Sequence, residues 1–151
     1  MASILALTNA HPVRRFAAGH LLIEAGEAGG DLYVLQEGRL VVEREGIEIA
    51  EISEPGSLIG EMSVLLGVDH SATVRATTAV EVRVIDNAIR FLETSPLLAL
   101  HVATLACARL DATSKLLAEL RREMAGKAGE QGFLNRIFGA VSGSPAPRPR
   151  G

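Results

Sequence analysis

A chain of 151 residues with 48% hydrophobic content is long enough for one cored domain and a small appendage. Its formal net charge of −3 gives no basic footprint for nucleic acid, and 3% aromatics without Trp leave no stacking platform for single strands. The single cysteine, Cys107, excludes an intramolecular disulfide framework and a Cys-rich zinc site; in its apolar surroundings it reads as a small core residue.

In chain order, Met1 to Leu7 is short and apolar and lacks the basic n-region of a signal peptide. No apolar run is long enough for a bilayer, so a cytoplasmic protein without a membrane span is expected. Ser3 to Ala10 reads as a short helix that stops before Pro12. From Val13 onward, glycines separate segments rich in β-branched and apolar residues, which read as strands: Leu21 to Ile23, Leu32 to Leu35, Leu40 to Arg44 and Ile47 to Ile52. The last alternates as a half-buried antiparallel strand does, and Glu45-Gly46 before it reads as a hairpin turn. Val80 to Ile85 forms a further hairpin with Thr73 to Ala76. Regular short strands with Gly turns predict a mainly β fold with some α: a double-stranded β-roll, or jelly roll.

Between these strands lies Gly60 to Ala76. Glu61 to Leu66 reads as a helical turn with an apolar cluster at Met62, Val64, Leu65 and Leu66, opened by Gly60 and closed by Gly67. Ala72 to Ala76 reads as a strand. Free N–H groups at a helix N-terminus suit a phosphate, the Ser71 hydroxyl is a further donor, and Glu61 can accept from a sugar hydroxyl. One acid and several donors suit a sugar phosphate. His70 and Ser71, adjacent in an expected strand, would face opposite ways and form no nucleophile–base pair. Glu61 and Asp69 have no second acid, metal cluster or nucleophile in a catalytic spacing, so no enzyme is expected and no metal or cofactor is called for.

At Asp86 the period changes. Asn87 is a suitable N-cap for 88–93; Ser95 and Pro96 then start a long Ala- and Leu-rich helix running to about Ala125. Ala99, Ala103, Ala106, Leu110, Thr113, Leu117, Leu120 and Met124 alternate spacings of four and three, the seam of a two-stranded coiled coil, so a homodimer through 96–125 is expected. Val102, Leu105 and Leu116 lie beside the seam and are expected to pack on the β-roll. Residues 1–125 form the domain, and 126–151 a flexible appendage in which 133–141 is amphipathic, expected to dock on the roll ahead of binding a partner or touching a membrane, before a disordered end.

Phe16, Gly19, Glu24, Gly26-Glu27, Asp31, Leu32-Tyr33, Gly38, Pro55-Gly56 and Ile59-Gly60-Glu61 stand in an order and spacing that resembles the cyclic-nucleotide-binding domains of the catabolite activator and cyclic-nucleotide-gated channel branch. The resemblance runs from about Val13 to Asp86, and 108–115 is similar to the activators' dimer helix. It implies a cassette helix and a C-terminal dimer helix on the roll. It implies that Glu61 holds the ribose 2′-hydroxyl, that the backbone of Gly60, Glu61, Met62 and Ser63 with Ser71 holds the cyclic phosphate, and that Thr113 and Ser114 reach the base, one of them from the partner subunit. Ala72, Leu40 and Ile49 complete the ligand-contacting set it implies. His70 stands where the family carries a phosphate-binding Arg. The activators continue into a helix-turn-helix, for which too little sequence remains here, so no nucleic-acid partner is expected. The expectation is a stand-alone regulatory module that binds cyclic AMP in preference to cyclic GMP and signals to an effector protein. The alternative is a degenerate roll that binds no nucleotide and serves as a dimeric interaction scaffold, since His is mostly neutral near pH 7 and presents a single donor.

Overall fold

The computed structural model describes residues 3–125 and, beyond them, Gly132, 135–137 and Gly139. The chain divides into two compact units, Met1–Val102 and Ala103–Gly151.

The first unit holds two antiparallel sheets of four strands each. One comprises β1 (Val13–Phe16), β8 (Val80–Ile85), β3 (Leu32–Glu37) and β6 (Leu58–Ile59), in that spatial order; the other β2 (Leu21–Ile23), β7 (Thr73–Ala76), β4 (Leu40–Arg44) and β5 (Ile47–Ile52). Of the sequence neighbours only β4 and β5 pair within one sheet; β7 and β8 lie in different sheets, so the hairpin expected between them does not form. The core is built from both, with Leu35, Leu40 and Val82 fully buried and Ile23, Ile59, Val74 and Val84 nearly so. β8 shows the alternation most plainly, with Val80, Val82 and Val84 all in the core, because the strand period of two sends every second side chain inward.

The Glu45-Gly46 turn is as the sequence predicts. Both residues take positive φ, +53° and +77°, the backbone that a two-residue turn between Arg44 and its partner Ile47 needs. The strand it opens is not half-buried. A register shift opposite Val42 and Glu43 leaves Ile49 as the extra residue of a bulge, and β5 is exposed from Ile47 to Glu51 at the sheet edge. The bulge breaks the alternation just where the sequence shows it most cleanly.

The N-terminal helix α1 is shorter than expected, Ile4–Leu7. Ser3 accepts from the Ala6 N–H, and Thr8, fully buried, donates its hydroxyl to the Ile4 carbonyl. Arg83 Nη1 donates to the carbonyls of Asn9 at 2.9 Å and His11 at 3.3 Å, which ties this segment to β8. The helix α3 (Ala88–Thr94) forms without the expected side-chain cap. Asn87 has φ +49° and makes no cap hydrogen bond; instead the Ala88 N–H donates to the Gly30 carbonyl at 3.0 Å. A tertiary acceptor replaces the local one.

The long helix α4 (Pro96–Glu123) starts at Pro96, with the Ala99 N–H donating to the Ser95 carbonyl. Leu98 and Val102 are buried in the first unit. In the second unit Leu110, Leu116 and Leu120 are exposed. Two expectations fail there. Leu116 is 66% exposed rather than packed, and Cys107 is exposed rather than a core residue, because the apolar surroundings read from the sequence are a solvent-facing helix surface. Of 133–141, only 135–137 and Gly139 fall within the described residues, and the expected docking of that segment lies outside them. Among the described residues no single helix is long and apolar enough to cross a membrane.

Candidate functional site

The loop between β6 and β7 carries the site. Gly60 turns the chain with φ +90°, a conformation that glycine adopts freely. The helix α2 (Glu61–Leu66) follows and is closed by Gly67 at φ +64°, whose N–H donates to the Ser63 carbonyl. Its buried face is Ser63 and Val64. Met62, Leu65 and Leu66 are 59%, 48% and 66% exposed, so the apolar cluster read from the sequence points mostly outward.

The loop between β2 and β3 lies directly on this helix. A Cβ on Gly29 would stand 2.4 Å from Ser63 Cβ, so only glycine permits the approach. The Gly26 N–H donates to the His70 carbonyl at 2.8 Å, and the His70 N–H donates to the Glu27 carbonyl at 2.9 Å. The Ala25 N–H donates to Thr73 Oγ1. His70 is thereby fixed along its backbone, outside any strand, since β7 begins only at Thr73. Strand alternation therefore does not govern His70 and Ser71, contrary to the expectation.

The imidazole of His70 turns toward α2. Its Nδ1 lies 2.6 Å from Ser63 Oγ, and its Cε1 lies 3.7 Å from where a Gly60 Cβ would be. The ring also lines a cavity of about 120 Å³ with Glu27, Asp31 and Tyr33. Burial, and after it the Asp31 carboxylate, pushes the Tyr33 phenol above its ordinary value, against an opposing pull from Arg14, so this hydroxyl is a donor at neutral pH. A second cavity, about 490 Å³, opens along Ser63, Val64 and Asp69, with Asn87 and Ile89 on its far wall. Among the described residues no group of three or more His, Cys, Asp or Glu could hold a metal ion.

Of the sequence-predicted residues, Gly60, Glu61, Met62, Ser63 and His70 belong to this cassette, with Ser71 exposed and Ala72 half-buried just beyond it. Leu40 is fully buried in the core, and Ile49 is 57% exposed on the edge strand. Thr113 and Ser114 lie on α4 in the second unit, where Thr113 Oγ1 donates to the Arg109 carbonyl at 2.8 Å. Sequence reasoning missed the Ser63–His70 pair and Gly29, and it read Glu27 and Asp31 as marks of the roll without placing them at the site. The only signal was the polar Ser63 among the apolar residues of α2.

A jelly roll whose sixth and seventh strands are joined by a glycine-opened helix is the fold on which the family match falls. The chain belongs to the cyclic nucleotide-binding domain family, whose model matches residues 13–91. It is 35% identical over 86 residues to the cGMP-dependent protein kinase egl-4 of Caenorhabditis briggsae, covering 57% of this chain and 11% of that protein. The chain thus spans about a tenth of the length of the first curated relatives it matches. The catabolite activator protein of Thermus thermophilus shares the fold, with a TM-score of 0.70 at 22% identity over 95% of this chain and 77% of that one. The regulatory subunit of a cAMP-independent protein kinase A from Trypanosoma brucei matches with a TM-score of 0.50 at 28% identity, over 55% of this chain and 31% of its own.

Proposed function

We propose that this chain is a non-catalytic sensor module that takes a cyclic nucleotide at the α2 cassette, prefers cyclic AMP to cyclic GMP, and passes the signal to an effector protein through paired α4 helices. The observation that carries the reading is the cassette itself: Gly60 in a left-handed turn, followed by the backbone N–H groups of the first turn of α2, with His70 held against them. Glu61, half-buried in that turn, suits a ribose hydroxyl, and Ser71, exposed beyond it, adds a neutral donor to the phosphate.

A second reading, the nucleotide-free scaffold, is favoured by one feature. His70 brings neither the permanent charge nor the bidentate fork of Arg. Calorimetric titration with cyclic AMP and cyclic GMP separates the two readings, and no heat with either supports the scaffold. If the nucleotide binds, a phosphate near His70 favours the imidazolium. Titrations at several pH values between about 5.5 and 8.5 are then expected to show affinity falling as pH rises. His70→Arg is expected to strengthen binding near neutral pH by roughly 1–2 kcal/mol and to flatten this profile. Flat affinity in the unmodified protein, with no gain from Arg, removes His70 from the site.

The preference for adenine rests on Thr113 and Ser114. The Thr113 proton is committed to the Arg109 carbonyl, which leaves Oγ1 as an acceptor. An acceptor suits the exocyclic amine of adenine, while Ser114 can both donate and accept and does not exclude the guanine carbonyl. Thr113→Ala and Ser114→Ala are each expected to shrink the ratio of the two affinities by about threefold, the effect of one modest hydrogen bond. An unchanged ratio in both variants makes these residues plain helix surface.

A further inference from the structure

Ser63 and His70 meet seven residues apart in sequence, with Oγ and Nδ1 separated by 2.6 Å. The phosphate reading above uses the backbone of Ser63 and leaves its side chain without a role. That side chain is nonetheless closely held. Ser63 is 6% exposed and lies under Gly29 of the β2–β3 loop. His70 is pinned along its backbone by Gly26 and Glu27. The bond between them is therefore a fixed feature, and what matters chemically is which partner donates.

A neutral imidazole carries one proton, and a hydroxyl can donate once or accept. If Nδ1–H donates to Ser63, Nε2 is left as a bare lone pair, which repels a phosphate oxygen. If Ser63 Oγ–H donates to Nδ1, the ring proton sits on Nε2 and attracts one. The geometry points to Ser63 as the positioning residue of the phosphate site: its hydroxyl donates to His70 Nδ1 and holds the ring proton on Nε2, so that even the neutral histidine presents a donor to the ligand. This rests on the reading that His70 faces a cyclic phosphate. It gives a physical account of how histidine serves at a position where Arg is the family residue: the charge and the fork are gone, and one directed donor remains across the pH range.

The surroundings of the ring bear on its charge. Glu27 and Asp31 of the β2–β3 loop and Tyr33 of β3 line the same cavity, Asp69 precedes His70 in the chain, and Glu61 opens α2. These carboxylates stand on the same side as the ring and repel a phosphate brought to it. Tyr33 stays a neutral phenol. Ser63 is the group that acts on the ring when it is neutral, and its influence is accordingly largest at high pH.

Two measurements on the full chain test this. The first needs no ligand: nitrogen-15 spectra of the His70 ring at about pH 8.5, where an ordinary histidine is neutral. The expected spectrum has Nε2 protonated and Nδ1 accepting; protonation on Nδ1, or a mixture of tautomers, overturns the assignment. The second is titration of cyclic AMP and cyclic GMP into wild type and Ser63→Ala at about pH 5.5 and 8.5. The imidazolium carries a proton on Nε2 whatever stands at position 63, so Ser63→Ala is expected to lose about threefold more affinity at the higher pH than at the lower. An equal loss at both means that Ser63 only packs, and overturns the proposal. If wild type binds neither nucleotide, the functional reading falls, and the ring spectrum alone then decides the direction of the Ser63–His70 bond.

Discussion

Gly38→Ala is expected to destabilise the roll by about 3–5 kcal/mol, the size of the larger core-overpacking effects. Gly38 turns β3 into β4 at φ +102°, and a Cβ there would stand 2.4 Å from the Ala79 carbonyl oxygen and 2.6 Å from Val80 Cγ1. Neither neighbour can yield at little cost. The Thr77 N–H donates to the Arg39 carbonyl, and the Arg39 N–H donates to Thr78 Oγ1, so the β3–β4 turn and the β7–β8 turn are tied together. Val80 beyond them is a core residue at 2% exposure. Relief of the overlap would require these bonds to lengthen or β8 to shift against β3. Gly46→Ala is the matching control. Its φ is +77° with nothing within 4 Å of the added methyl, so it carries the left-handed strain alone, about 1 kcal/mol. Denaturant unfolding of both variants checks the difference, and an equal loss would mean that the close approach at Gly38 is without consequence. In the thermal transition the gap is expected to be roughly 10 °C or more.

These two turns also mark how far the sequence can be read. Glu45-Gly46 and Ser95-Pro96 were legible because their chemistry is local: positive φ in a two-residue turn, and a proline at a first helical position. Asn87 was misread because the first N–H of α3 finds the Gly30 carbonyl, a partner almost sixty residues earlier in the chain that no local pattern reveals. Leu65, Leu66 and Cys107 show the same limit from the other side. Apolar residues at helical spacing disclose a face, and only the tertiary structure discloses whether that face is covered. The cassette was legible as a resemblance from Gly60 and Glu61. What makes its histidine unusual, the bond from Ser63 under Gly29, depends on the β2–β3 loop folding back onto α2, and two sequence-distant segments carry no shared period.

The second large effect concerns α4. The seam from Ala99 to Met124 is an expectation of the heptad pattern, and the structure gives it a physical motive: Leu110 and Leu120 on the seam are 50% and 41% exposed in the single chain. Leu116 directly precedes the seam position Leu117 and is 66% exposed, which suits the flank of a coiled coil, where a long side chain lies along the partner helix. Alanines at 103 and 106 leave little bulk in the first half of the seam, so the helices can approach closely there and leucines carry the second half. Sedimentation of the unmodified chain at micromolar concentration is expected to show a dimer. Lys at both Leu117 and Leu120 would place unpaired ammonium groups inside the seam, at a cost of several kcal/mol. A loss of about 3 kcal/mol already weakens the dimer by more than about a hundredfold, enough to leave monomer at that concentration. Leu116→Lys is expected to leave the dimer nearly unchanged, because a flanking lysine keeps its charge in water while its stem covers the seam. Equal dissociation by the seam and flank variants would show that the interface runs along a different face of α4, and a monomeric unmodified chain would remove the seam altogether. The roll provides an independent control: Leu98 and Val102 hold the first turns of α4 within the first unit, so the seam variants should dissociate the dimer without shifting the unfolding of that unit.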